Sequence, residues 1–154
     1  MRKILIVILV LLSTSCATKY VPKTDGPLVS VSYITDSSPK SGWVKAATGV
    51  HIFEDIENCK SVKIAGSLKG SKESPGRFTI EVTPGMPLYN GYNTIVYYGS
   101  KYLTSQLASN FVPKLGHKYE VAVYPLSHAV VYDVTSGEKT VVDSAVEKKG
   151  MCRF

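Results

Sequence analysis

The chain has 154 residues, of which 44% are hydrophobic and 19% are charged, and its formal net charge is +6. This composition excludes an intrinsically disordered chain, which combines low hydrophobicity with high net charge, and the length suits one globular domain. The positive charge is modest and dispersed along the chain. It favours anionic surfaces such as lipid headgroups and gives no reason to expect nucleic acid as a partner.

The first 16 residues have the layout of a secretory signal. Arg2 and Lys3 form a short positive region, residues 4–12 are an unbroken apolar run, and small polar residues lead directly to Cys16. An apolar run of this length cannot anchor the chain as a membrane span, which takes about 20 residues. The pattern therefore predicts a cleavable signal peptide over residues 1–15.

The end of this segment, Leu12-Ser13-Thr14-Ser15-Cys16, resembles the lipobox of bacterial lipoproteins. In that family the cysteine thiol receives a diacylglyceryl group, the signal is cut just before it, and the new amine is often acylated. The family prefers leucine three residues before the cysteine, where this chain has Ser13. The alternative is a plain secreted protein in which Cys16 is an ordinary thiol.

The resemblance implies that Cys16 is the site of lipid attachment and that this covalent lipid is the only prosthetic group. It also implies a protein of the bacterial cell envelope that is bound to a membrane by its lipid. Ala17 after the cysteine is more typical of lipoproteins destined for the outer membrane than of those retained by an acidic residue there. We therefore expect an outer-membrane location facing the periplasm.

Residues 16–27 are polar, contain two prolines and a glycine, and show no apolar period, so they predict a tether after the lipidated cysteine. From Leu28 onward the hydrophobic period is mainly two, as in Val29-Ser30-Val31-Ser32-Tyr33. Similar runs recur along the chain, separated by Gly, Pro, Ser and Asp clusters. We therefore predict an all-β domain over residues 28–154, built as a single antiparallel β-sandwich of the immunoglobulin or transthyretin type.

Two further observations concern the fold. In Lys101 to Phe111 the apolar residues recur every four positions, as on a helix face, but the many Ser and Thr residues there favour a strand. The segment from Phe111 to Val142 resembles the C-terminal strands of small periplasmic lipoproteins with transthyretin-like or carboxypeptidase-regulatory-like sandwiches. Those domains mostly have no assigned activity, so this resemblance implies a fold only.

Three cysteines occur, and Cys16 is assigned to the lipid. Cys59 and Cys152 remain as an even pair in an oxidising compartment, which predicts a disulfide between them. Free thiols, or a redox or metal pair, are the alternative. The sequence has no C-x-x-C motif to support that alternative.

No catalytic motif is recognisable in the sequence. It contains no G-x-S-x-G elbow, no phosphate-binding glycine loop and no pair of histidines at metal-ligand spacing. His51 is followed by Glu54, Asp55 and Glu57, which could form a zinc or calcium site, although a solvated acidic turn is far commoner. His117 lies in a glycine-containing turn and is expected to be exposed. We predict no catalytic residues and no metal.

The strongest candidate for a binding surface is a cluster of tyrosines, because tyrosine offers a rigid contact area that is both apolar and polar. Its members are Tyr89, Tyr92, Tyr97, Tyr98 and Tyr102. The alternative is that these tyrosines pack within a sheet, and the adjacent Tyr97 and Tyr98 must point to opposite faces of a strand. A second candidate is a set of basic residues for anionic polymers: Lys60, Lys63, Lys69, Lys72 and Arg77.

These features favour a lipid-anchored, non-catalytic binding module whose partner is another envelope protein. A structural component of an envelope assembly is an alternative, in which an edge strand pairs with a neighbour. An inhibitor or immunity protein for an envelope hydrolase is another. A hydrolase that uses scattered residues is the least favoured alternative.

Overall fold

A computed structural model describes residues 18–35, 45–55, 60–71 and 75–146 of the chain. The predicted signal peptide and the three cysteines, Cys16, Cys59 and Cys152, lie outside these ranges. The described residues form nine β-strands and no helix, which confirms the all-β prediction. Accordingly, these ranges contain no helix that is long and apolar enough to cross a membrane.

The strands follow one another in chain order. They are β1 (Val29–Thr35), β2 (Lys45–Asp55), β3 (Lys60–Ser71), β4 (Arg77–Val82), β5 (Leu88–Tyr98), β6 (Lys101–Phe111), β7 (Lys118–Tyr124), β8 (His128–Asp133) and β9 (Thr140–Val146).

The strands form two sheets. One has five strands in the order β4-β1-β7-β8-β9, and the other has four in the order β3-β2-β5-β6. All neighbours are antiparallel except β1 and β7, which run parallel with Val31 opposite Tyr119. The expectation of a purely antiparallel sandwich is therefore wrong at this pair. Because five strands separate β1 from β7 along the chain, no hairpin constrains their relative direction.

The two sheets share one hydrophobic core, an arrangement consistent with a β-sandwich. The period-two pattern explains it, since alternate side chains of each strand point to the same face. In β1, for example, Val29, Val31 and Tyr33 are buried and the residues between them are partly exposed. Tyr92 and Leu107 contribute to the core from the opposite sheet.

A chain of polar side chains crosses this core. The Tyr33 hydroxyl donates to Asn90 Oδ1 at 2.8 Å, and Asn90 Nδ2 donates to Ser109 Oγ at 3.3 Å. The Tyr92 hydroxyl lies 2.6 Å from the same Ser109 oxygen. Burial raises the pKa of Tyr92 and that of Tyr33, so both phenols stay neutral. Buried polar groups are costly unless they are paired, and these pair with one another.

The two ends of the molecule are different, and we name them here. At the strap end lie the loops β4–β5 (residues 83–87), β6–β7 (residues 112–117) and β8–β9 (residues 134–139). At the hairpin end lie the turns β5–β6 (residues 99–100) and β7–β8 (residues 125–127). The strands of both sheets run between these ends.

The described part of the predicted tether lies against the domain, and we call it the N-terminal strap (residues 18–27). Tyr20 N donates to the Ile64 carbonyl at 2.9 Å, and Ile64 N donates to the Thr18 carbonyl at 3.0 Å. These bonds form a parallel bridge on the outer edge of β3. The Tyr20 ring packs against the main core. The ammonium of Lys23 lies 3.2 Å from the carboxylate of Glu54.

The ambiguous segment Lys101–Phe111 is a strand, as favoured from its Ser and Thr content. It pairs with β5 along its whole length, from Tyr98 opposite Lys101 to Leu88 opposite Phe111. The four-residue spacing of its apolar residues coincides with the even period of a strand, so Leu103, Leu107 and Phe111 share one face. Burial of Leu107 and Phe111 against the five-stranded sheet, which a local pattern does not record, decides the conformation.

Candidate functional site

The predicted tyrosine cluster divides between the two faces of β5 and the tip of the next strand. Tyr92 is fully buried in the core, so it does not belong to a binding surface and the prediction is wrong for that residue. Its position follows from the alternation in β5, where the even-numbered residues face the five-stranded sheet. Tyr97 and Tyr98 point to opposite faces as predicted: Tyr97 is 45% exposed, and Tyr98 packs against Val96.

The exposed tyrosines meet at the hairpin end. Tyr97 and Tyr102 are directly opposite each other on β5 and β6, and Tyr102 is 66% exposed. Leu103, on the other face of β6, is 55% exposed although its cross-strand partner Val96 is fully buried. Residues 101–104 are all exposed, so this end of β6 extends beyond the part that the five-stranded sheet covers. We call residues 97–103 the hairpin tip.

Two tight turns define the backbone conformation of the hairpin end. Gly99 has a φ of 60°, as in the two-residue hairpin turns whose first central residue is glycine. Leu126 has a φ of 63°, a conformation that costs a residue with a side chain roughly 1 kcal/mol or more. Leu126 nevertheless occupies this position, and its side chain packs against the small cluster of Ala46, Val96 and Tyr98. The β7–β8 turn therefore supports the base of the hairpin tip.

A second aromatic pair lies beside this turn. The rings of Tyr124 and His128 stack with centroids 4.3 Å apart and planes 20° apart. Ser127 Oγ lies 2.7 Å from His128 Nδ1, which fixes the orientation of the imidazole. The hairpin end thus carries exposed aromatic and apolar side chains on a rigid support. Such a surface can bind another macromolecule without any chemical step.

Tyr89 lies away from the hairpin tip, at the beginning of β5. It lines an open cleft of about 230 Å³ between the N-terminal strap and the β4–β5 loop. Tyr20 and Met86 also line the cleft, and the Lys23–Glu54 ion pair lies at its side. The Lys23 ammonium, chiefly through its hydrogen bond, lowers the pKa of Glu54. The cleft is small and its charged groups already have partners.

The carboxylate site imagined around His51 does not form in the described part of the chain. His51 and Glu54 are three residues apart on β2, so their side chains lie on opposite faces of the sheet. Burial lowers the pKa of His51, and its ring lies against Gly49. The side chain of Asp55 and all of Glu57 lie outside the described residues. Those described contain no group of three or more His, Cys, Asp or Glu residues placed to hold a metal.

His117, expected to be exposed, is partly buried. Its Nδ1 lies 2.5 Å from Asp133 Oδ2, since the β6–β7 loop folds against the end of β8. Sequence reasoning missed this pair because Asp133 is distant along the chain.

Glu120 is also engaged by basic groups. It accepts hydrogen bonds from Arg77 Nη2 at 3.1 Å and from Lys139 Nζ at 2.5 Å. These contacts join β4 and the β8–β9 loop to β7, so their role is structural.

The basic residues predicted as a second surface are divided by the fold. Lys63 donates to the Thr18 hydroxyl at 3.0 Å on the strap, whereas Arg77 pairs with Glu120 on the other sheet. The side chain of Lys60 and all of Lys72 lie outside the described residues. These contacts leave the hairpin tip as the strongest candidate surface.

Comparison with known proteins adds no relative to this description. The chain matches no protein-family model, no curated protein and no solved structure.

Proposed function

We propose that this chain is a lipid-anchored protein of the bacterial cell envelope that acts by binding another envelope protein, without catalysis. Its lipid would be carried by Cys16 after removal of residues 1–15, and its membrane would be the outer membrane, with the domain facing the periplasm. The domain would be a β-sandwich of the immunoglobulin or transthyretin type. This proposal requires no cofactor beyond the lipid and no nucleic acid.

The observation that carries the proposal is the exposed Tyr97–Tyr102 pair with Leu103 at the hairpin tip. Interfaces concentrate binding energy in a few aromatic side chains on a rigid support. β5 has 11 residues, so the hairpin tip lies about 35 Å from the strap end. A chain anchored just before the strap would therefore present its aromatic tip away from the membrane.

A crosslinking experiment in living cells tests the proposal. A photo-crosslinkable amino acid replaces Tyr102 in the full-length lipoprotein, and in a control it replaces Glu81, which is exposed on β4. We expect one covalent adduct with a single envelope protein from position 102 and none from position 81. A Cys16→Ala version, which cannot be lipidated, should lose the adduct. Equal adducts from both positions, or none from position 102, would contradict the proposal.

If Tyr97 and Tyr102 contact the partner, replacing both with alanine should weaken binding. Tyr97→Ala combined with Tyr102→Ala should weaken co-purification of the partner that crosslinking identifies at least tenfold, because each lost aromatic contact contributes about 1–2 kcal/mol. Both side chains are exposed, so the melting temperature should stay near that of the unmodified protein. Unchanged recovery would show that the partner binds elsewhere.

One observation favours the structural alternative. β6 is an edge strand, and near its end Asn110 N donates to Asp143 of β9 at 2.8 Å. Residues 101–104 are exposed on both faces, so an added strand could pair with that part of the edge. In an assembly, neighbours would pair with this edge in fixed stoichiometry. A Thr104→Pro variant should then abolish co-purification, since proline on an edge strand cannot donate to an added strand. A module that binds only through tyrosine side chains would keep its partner.

A further inference from the structure

Exposed apolar side chains gather at the strap end as well as at the hairpin tip. Those at the strap end are Leu28, Met86, Val112, Leu115 and Val141. They lie on the loops or beside them, outside the shared core. A soluble domain gains nothing from exposing large apolar side chains together, so a cluster of them indicates a contact surface.

The centre of this cluster is formed by two adjoining loops. Gly85 N in the β4–β5 loop donates to the Pro113 carbonyl in the β6–β7 loop at 2.7 Å. Met86 on the first loop is 47% exposed, and on the second loop Val112 is 46% and Leu115 is 58% exposed. We call these three side chains the apolar loop patch.

The two loops that carry this patch have a positive charge of their own. Lys114 and Lys118 are exposed on either side of Leu115. The sequence contains no aspartate or glutamate between Glu81 and Glu120, so neither loop carries a negative side chain. Apolar tips flanked by lysines suit the boundary between acyl chains and anionic headgroups, where the lysine stems stay apolar and their ammonium groups reach phosphates.

The direction of the N-terminal strap bears on where the proposed anchor would lie. The strap runs parallel to β3, whose first residues lie at the strap end, so Thr18 lies nearer to that end than Tyr20 does. Only two peptide units separate Thr18 from Cys16, and they span at most about 7 Å. A lipid on Cys16 would therefore hold the strap end of the domain close to the bilayer.

We infer that the apolar loop patch inserts into the headgroup region of the membrane that carries the lipid anchor, so that the domain is held upright with its hairpin tip away from the surface. This inference rests on the lipidation proposed above and adds to it a second membrane contact made by Met86, Val112 and Leu115. The contact would define the orientation of the domain relative to the membrane. A lipid on a free tether would not fix that orientation.

Tryptophan reporters test this contact in the full lipidated protein. The protein is reconstituted into vesicles of phosphatidylethanolamine and phosphatidylglycerol with brominated acyl chains, which quench tryptophans that enter the bilayer. Leu115→Trp reports on the patch, and Tyr102→Trp is the matched control at the hairpin tip. The signal of the single native tryptophan, Trp43, is subtracted by using the unmodified protein. Met86→Trp repeats the measurement if Leu115→Trp does not fold.

We expect brominated lipid to quench Leu115→Trp at least threefold more strongly than Tyr102→Trp, and its emission to shift to the blue. Flotation of the vesicles is measured beside the fluorescence. If the protein floats and the two reporters are quenched equally, the inference is overturned while the lipid anchor stands, and the patch would then face a protein. If the protein does not float, neither lipid nor patch binds the bilayer, and the proposed anchoring fails with the inference.

Discussion

Asp133 illustrates how a single side chain links distant parts of this domain. It accepts hydrogen bonds from the Thr135 hydroxyl at 2.5 Å and the Thr135 backbone at 2.9 Å. His117 Nδ1 contacts its other oxygen. The Thr135 side chain first, and then His117, lower the pKa of Asp133 to about 2. The carboxylate therefore joins the β6–β7 loop to the end of β8 at ordinary pH.

The lowered pKa of Asp133 predicts a pH dependence of stability. Its carboxylate stabilises the native state above the unfolded pKa of 3.8, and this contribution is lost as the pH falls through about 2. Between these pH values the free energy of unfolding of the unmodified protein should fall by about 1–2 kcal/mol more than that of Asp133→Asn. Urea unfolding at several pH values measures it, with Glu81→Gln as a control on an exposed carboxylate. Parallel curves for the unmodified protein and Asp133→Asn would contradict the assignment.

A second prediction at this scale separates the buried and exposed tyrosines. Tyr92→Phe removes a hydroxyl that lies 2.6 Å from Ser109 Oγ inside the core, so it should lower the free energy of unfolding by about 1–2 kcal/mol. Tyr97→Phe removes a hydroxyl from an exposed side chain and should change it by less than about 0.5 kcal/mol. Denaturant titrations of both variants make the comparison. Equal stabilities would mean that Tyr92 is not part of a buried network.

At the scale of elements, the N-terminal strap makes hydrogen bonds with the domain. Its composition predicts a tether, yet residues 18–23 bond to β3 and to the β4–β5 loop, where Lys23 N donates to Thr83 Oγ1 at 3.3 Å. The strap also covers part of the outer edge of β3, which would otherwise be open to pairing with another chain.

The strap predicts a stability effect from a residue outside the sandwich strands. Tyr20→Ala should lower the free energy of unfolding by about 2 kcal/mol, because its ring packs against the main core. Val21→Ala, at a side chain that is 70% exposed, is the neighbouring control and should have almost no effect. Thermal melts of the two variants compare them. If Tyr20→Ala melts with the unmodified protein, the segment behaves as a free tether.

At the scale of the whole molecule, the two ends have separate roles in the proposal: the strap end meets the membrane and the hairpin end meets a partner. The predicted Cys59–Cys152 disulfide bears on this arrangement. Cys59 directly precedes β3, which begins at the strap end, whereas β9 finishes at the hairpin end with Val146. If it forms within one chain, this bond joins the segment before β3 to the tail after β9.

Alkylation with and without reductant tests the disulfide directly. We expect Cys59 and Cys152 to react only after reduction, with a mass change of two alkyl groups. Because the loop closed by this bond is long, reduction should lower the free energy of unfolding by about 4–5 kcal/mol at most. Two thiols that react without reductant would contradict the predicted disulfide.

The sequence by itself determined the class of the fold and much of its local structure. The period-two pattern predicts the strands, places Tyr97 and Tyr98 on opposite faces, and its turn residues mark the loops, because alternation and turn chemistry are local properties. Only the tertiary structure decided that β1 and β7 run parallel, that Tyr92 is buried, that the strap bonds to β3, and which loops share an end. Each of these depends on contacts between residues far apart in sequence, and no local pattern records which distant strand will provide the partner or the cover.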